Sequence, residues 1–145
     1  MGSGEWVETS EVMNSRPVTI EITHGGHPRT VRTGLSADDV GDVIRGLEGE
    51  PDVAVEIFWE SVTDERVLLG ISGANVFLVL VRPHELYQYV AHANDDRQGT
   101  IPFITSCEPT DIKARHVVDI KTAVTVVQEW LTGGQESSLG CWERR

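Results

Sequence analysis

Cationic side chains are scarce in this sequence. Twelve Lys and Arg stand against 23 Asp and Glu, a formal net charge of −11 over 145 residues. Nucleic acid and anionic lipid carry dense negative charge and repel such a chain at long range, whereas a basic partner is drawn to it. Long apolar runs are missing too: the longest, Val76 to Val81, has six residues, against the roughly 20 that span a bilayer. Residues 1–16 contain Glu5, Glu8 and Glu11 and no apolar stretch, so no secretory leader is expected. Cysteine is limited to Cys107 and Cys141, 34 positions apart, and without a leader free thiols in a cytoplasmic protein are the expectation. Catalytic signatures are also lacking: there is no GxSxG, phosphate-binding loop, GxGxxG or HExxH. What is present is an ordinary globular composition, 39% apolar and 24% charged. The length fits one domain, expected over residues 17–145 behind a flexible tail of residues 1–16.

Periodicity then assigns the elements. Val18, Ile20 and Ile22 alternate with Thr19, Glu21 and Thr23, a half-buried strand. The His24-Gly25-Gly26-His27 turn leads into a return strand through Arg29 to Arg32. Ser36 is placed to accept a hydrogen bond from a free helical N–H, and Asp38 and Asp39 complement the positive end of the helix dipole. Val40, Val43, Ile44 and Leu47 fall on one stripe, and Gly49 and Pro51 are expected to end that helix. Strands are predicted at 52–60, 65–72, 76–81 and 85–91, followed by extended pieces at 101–106 and 114–118. Asp119 caps a second helix whose Ile120, Ala123, Val124, Val127 and Leu131 repeat at helical spacing. Gly133 and Gly134 stop it, and a short strand follows at 139–143 around Trp142. Strands, helix, strands and helix with hairpin-length links predict an α+β fold, a mainly antiparallel sheet with two amphipathic helices packed on one face.

Three constellations invite a chemical reading. His24 and His27, three apart in a glycine-rich turn, have no Cys, Asp or Glu close by to complete a metal shell, and two exposed turn histidines is the simpler interpretation. Cys107, His116 and Asp119 contain the parts of a nucleophile, base and orienter. No local signature or lowered-pKa environment surrounds the thiol, however, and an unreactive cysteine is favoured. Neither catalytic residues nor a cofactor or metal is therefore predicted. The third constellation is a set of aromatics beside acids. If Val53, Val55, Ile57 and Trp59 face the helices, then Glu56, Phe58 and Glu60 face away, and Tyr87 and Tyr89 point away from Leu86 and Val90 on another strand. A sheet face of this kind suits protein binding, with aromatics as anchors and carboxylates for a basic partner. The loop acids Asp64, Glu65, Asp95 and Asp96 would add charge at the rim. Cover by the C-terminal segment or by a second copy of the chain is the competing use of that face.

The C-terminal part also carries a resemblance. The segment Val118-Asp119-Ile120-Lys121-Thr122-Ala123-Val124, continuing to Glu129-Trp130-Leu131-Thr132-Gly133-Gly134 and then to Cys141-Trp142-Glu143, resembles the closing helix, glycine stop and Trp-bearing strand of the Imm1 family of bacterial immunity proteins. Where that family usually has a Pro near the start of the last helix, Asp119 or Ile120 stands here. The resemblance implies a non-enzymatic antidote, free as a monomer or weak homodimer, which binds a basic toxin domain directed at nucleic acid, a deaminase or nuclease. The acidic charge and the short apolar runs lead to the expectation of no direct contact with nucleic acid or membrane. A small enzyme with an unrecognised acid/base site and an adaptor for another basic protein are the alternatives that the residues leave open.

Overall fold

The computed structural model describes residues 17–25, 27–59, 65–90, 97–105, 108–133 and 141–144. The α+β expectation holds, with seven antiparallel strands in one sheet, two in another, and two helices. β1 (Val18–His24) and β2 (Thr30–Leu35) form the opening hairpin, and α1 (Ala37–Arg45) follows. A meander comes next: β3 (Val53–Trp59), β4 (Arg66–Ser72), β5 (Asn75–Arg82) and β6 (Glu85–Val90). β7 (Thr100–Thr105) and β8 (Glu108–Lys113) make a separate hairpin, and a 3-10 turn (Ala114–His116) leads to α2 (Ile120–Gly133) and β9 (Cys141–Arg144). The large sheet runs β2-β1-β3-β4-β5-β6-β9.

Helix α1 begins where the chemistry of Ser36 and Asp39 dictates. Ser36 Oγ accepts the Asp39 backbone N–H at 3.1 Å, and Asp39 Oδ2 accepts the Ser36 N–H in return, so two otherwise unpaired donors are satisfied reciprocally. The helix ends earlier than the apolar stripe predicts. Gly46 caps it by donating to the Asp42 carbonyl, and Leu47 reaches the core from the following turn. At α2 the Asp119 carboxylate accepts the Thr122 N–H at 2.8 Å, as the sequence predicts. Both helices lie on one side of the sheet. Val40 and Ile44 of α1 and Val124, Val127 and Trp130 of α2 close over Ile20, Val55, Ile57, Leu69, Leu78 and Leu80. Trp130 is fully buried, its ring 4.5 Å from that of Trp59.

Among the described residues, the other side of the sheet, the open face, is only partly covered. Hairpin β7–β8 rests on it through Phe103 and Ile112, which cluster with Val117 from beyond the 3-10 turn and pack against Phe77. The Phe77 and Phe103 rings meet edge to face at 4.9 Å. This seat favours a glycine, because a Cβ at Gly70 would lie 2.1 Å from Cε1 and 2.4 Å from Cζ of the Phe77 ring. Periodicity misses this hairpin in part. Of the extended piece expected at 114–118, Ala114–His116 form a 3-10 turn and Val117 and Val118 are extended, Val118 bridging Val76, while the return strand occupies Glu108–Lys113. Pro109 and the charged residues of β8 hide it, since an edge strand buries little on its outer side.

Candidate protein-binding face

Strand register decides what each face presents. Glu21 lies directly opposite Glu56, Glu56 opposite Leu68, Leu68 opposite Val79, Val79 opposite Gln88, and Gln88 opposite Glu143. Residues directly opposite point to the same side, so this row crosses the open face from β1 to β9. Beside it, in the space that hairpin β7–β8 leaves uncovered, lies a groove of about 420 Å³. Its floor is apolar, formed by Leu68, Val79, Leu86 and Phe77. Leu86 is 41% exposed. Val31, which pairs with Glu21 across β1 and β2, is half exposed at the sheet edge.

Electrostatics marks one end of the groove. Like charges directly opposite on adjacent strands destabilise a sheet, yet Glu21 and Glu56 are so placed. Each is balanced by one guanidinium: Arg29 Nη1 lies 3.1 Å from Glu21, and Arg66 Nε 3.1 Å from Glu56. Both arginines are about half exposed, and such surface pairs contribute only about 0–1 kcal/mol each. A cation from outside can therefore replace them at small cost.

The structure rearranges the predicted binding set. Glu56 and Phe58 alternate onto the open face, both half-buried. Tyr87 and Tyr89 do not join them, and this corrects the face assigned from alternation. Tyr87 pairs with Leu80, a helix-side core residue, and Tyr89 is fully buried against Trp142 with ring centroids 5.2 Å apart. Strand β6 is amphipathic either way round, and the larger aromatics take the side where the core can enclose them, leaving Leu86 outside. The Tyr87 hydroxyl donates to Glu85 at 2.5 Å, and that bond to a carboxylate raises its pKa. Glu65 is also corrected. Its carboxylate accepts the Trp130 indole N–H at 2.7 Å and the Arg82 Nε–H at 3.3 Å, so it pins the core rather than extending the rim. Glu60, Asp64, Asp95 and Asp96 lie outside the described residues, as does Cys107.

Two further clusters bear on chemistry. His24 Nδ1 lies 3.2 Å from Glu50 in a pocket of about 340 Å³ with His27 and Asp52. No group of three or more His, Cys, Asp or Glu among the described residues is arranged to hold a metal ion. His116, 7% exposed, places Nε2 3.0 Å from Glu143, and Glu143 also accepts from Arg115. Asp119 therefore caps α2, and the acid beside the imidazole is Glu143. A polar pocket of about 360 Å³ adjoins this pair, lined by Lys113, Asp111 and Arg144. Sequence reasoning passed over Glu21, Leu68, Leu86 and Gln88 because only register brings them into one row. Val18–His24 already showed Glu21 on the polar side of its strand, the one available signal.

No family model matches the sequence, and no curated protein matches it significantly. Among the described residues no helix is long and apolar enough to cross a membrane.

Proposed function

We propose that this chain is a non-enzymatic immunity protein that binds a basic toxin domain through the open face and neutralises it in the cytoplasm. The observation that carries the reading is the groove itself, an apolar floor with two carboxylates at one end, on a chain of net charge −11. An uncovered apolar patch bordered by polar groups marks interaction surfaces. Acidic surfaces accelerate capture of basic partners, with association reaching about 10⁸–10⁹ M⁻¹s⁻¹ at low salt. A toxin domain that acts on DNA or RNA needs a basic substrate site, and occluding that site is the mode of inhibition that this charge favours. The Imm1-like closing segment supports the same class of partner.

Co-expression tests it. A gene immediately upstream that encodes a large secreted protein with a C-terminal toxin domain would favour the reading and supply the domain to test. Cells producing that domain are expected to grow when this chain is present, and the two are expected to co-purify one to one. Continued killing despite soluble expression would remove the immunity reading. A second reading, a small enzyme, is favoured by the His116–Glu143 pair at the polar pocket, since an acid-oriented imidazole is a usable general base. His116→Ala separates the two: rescue persists if binding is the function.

A further inference from the structure

The turn between β1 and β2 and the connection between α1 and β3 meet at the pocket of about 340 Å³. Backbone hydrogen bonds hold them there: the Gly25 N–H donates to the Asp52 carbonyl at 3.0 Å, and the Gly73 N–H to that of Glu50 at 2.8 Å. The two histidines that stand without acidic neighbours in the turn therefore gain them from the fold, since Glu50 and Asp52 line the same pocket as His24 and His27. Each acid carries a buried carboxylate oxygen, Glu50 Oε2 and Asp52 Oδ1, with no hydrogen-bond partner. Buried acceptors are normally paired, and an exception calls for an explanation such as a water or an ion. Glu50 Oε2 lies 3.2 Å from His24 Nδ1, near enough for a hydrogen bond but not aligned as one. That spacing has a second meaning. Two ligands of one tetrahedral zinc ion, each bonded at roughly 2.0–2.2 Å, stand about 3.3 Å apart.

We propose that this pocket binds one transition-metal ion of the zinc type, received by His24 and Glu50 and enclosed by Asp52 and His27. Imidazole nitrogen combined with carboxylate oxygen suits zinc and its neighbours, whereas calcium and magnesium take oxygen ligands. As folded, no third group joins His24 and Glu50 at ligand spacing. The site therefore closes on the ion by rotation of the Asp52 and His27 side chains over a backbone already in place. His27 is exposed, and its own N–H, which donates to the His24 carbonyl at 2.8 Å, fixes the turn that carries it. The ion neutralises two carboxylates in a chain of net charge −11 and ties the opening hairpin to the α1–β3 connection. Binding to the folded chain in preference to the unfolded one stabilises the fold. His24 continues the helix-side alternation of Val18, Ile20 and Ile22, so the site is separate from the open face and independent of the immunity reading.

Calorimetric titration of the full chain with zinc chloride, in a buffer that does not chelate, tests this. One site per chain is expected, with Kd below about 100 µM. Zinc at a hundred times Kd should raise Tm by about 5 °C, and calcium at the same concentration by much less. In nitrogen-edited NMR the His24 and His27 imidazoles should shift together as zinc is added. Asp52→Asn and His27→Ala, the latter at an exposed position, are each expected to weaken zinc binding about tenfold or more. His84→Asn is the control, because His84 is an exposed turn residue at φ 64°, a conformation that asparagine accepts, and it should leave affinity unchanged. Three results would overturn the proposal: no saturable binding at about 100 µM zinc, equal stabilisation by calcium, or affinity unchanged in both Asp52→Asn and His27→Ala. Zinc binding lost in His84→Asn instead would mark adventitious surface binding and also sink it.

Discussion

At the scale of single residues, Glu65 shows how a surface acid by composition becomes an internal fastener. Its carboxylate is the acceptor for the indole N–H of Trp130, the largest fully buried side chain. Removing an acceptor from a buried donor costs about 1–3 kcal/mol, more than the net value of the bond itself. Glu65→Ala is therefore expected to lower stability by that amount in urea unfolding while leaving partner affinity nearly unchanged. A large affinity loss with normal stability would return Glu65 to the rim. No periodicity could assign this role, because a glutamate next to a strand looks the same whether its partner is water or a tryptophan brought 65 residues along the chain.

At the scale of elements, the helix starts are written in the sequence because capping is local. Asp119 is held below its ordinary 3.8, first by its hydrogen bond with the Thr122 side chain and then by the Thr122 backbone N–H. A carboxylate with a depressed native pKa stabilises the fold above its unfolded value, and that contribution disappears as the pH falls through the native value. Asp119→Ala should thus cost about 1 kcal/mol near neutrality, and the gap to the parent should narrow below pH 3.8. Unfolding at about pH 7 and about pH 3 measures this, and a gap constant across that range would refute it. Asp39 is lowered in the same direction by its hydrogen bonds with Ser36. Strand β8 illustrates the opposite case, where Pro109 and edge polarity obscure an element held in place mainly by Phe103 and Ile112 packing on Phe77.

At the scale of the whole molecule, the net charge sets the kind of partner and the local charges set where it lands. Around the groove the two carboxylates are matched by two arginines, so most of the −11 acts at a distance, where it affects encounter more than final affinity. Reversing Glu21 and Glu56 together to Lys should slow association with the toxin domain about tenfold or more at low salt and flatten its salt dependence. Stopped-flow measurements across a salt series test this. Unchanged rates would move the interface off the open face.

The sequence by itself determined the α+β class, the caps at Ser36 and Asp119, the apolar stripes of both helices and the alternation of β1 and β3. All of these follow from interactions within a few residues. Only the tertiary structure decided that Tyr87 and Tyr89 turn toward the helices, that Glu65 serves Trp130, and that Glu21, Glu56, Leu68, Val79 and Gln88 form one row. Alternation tells that a strand has two faces but not which one the core will claim. That choice depends on what packs above and below, and cross-strand neighbours exist only once register is set.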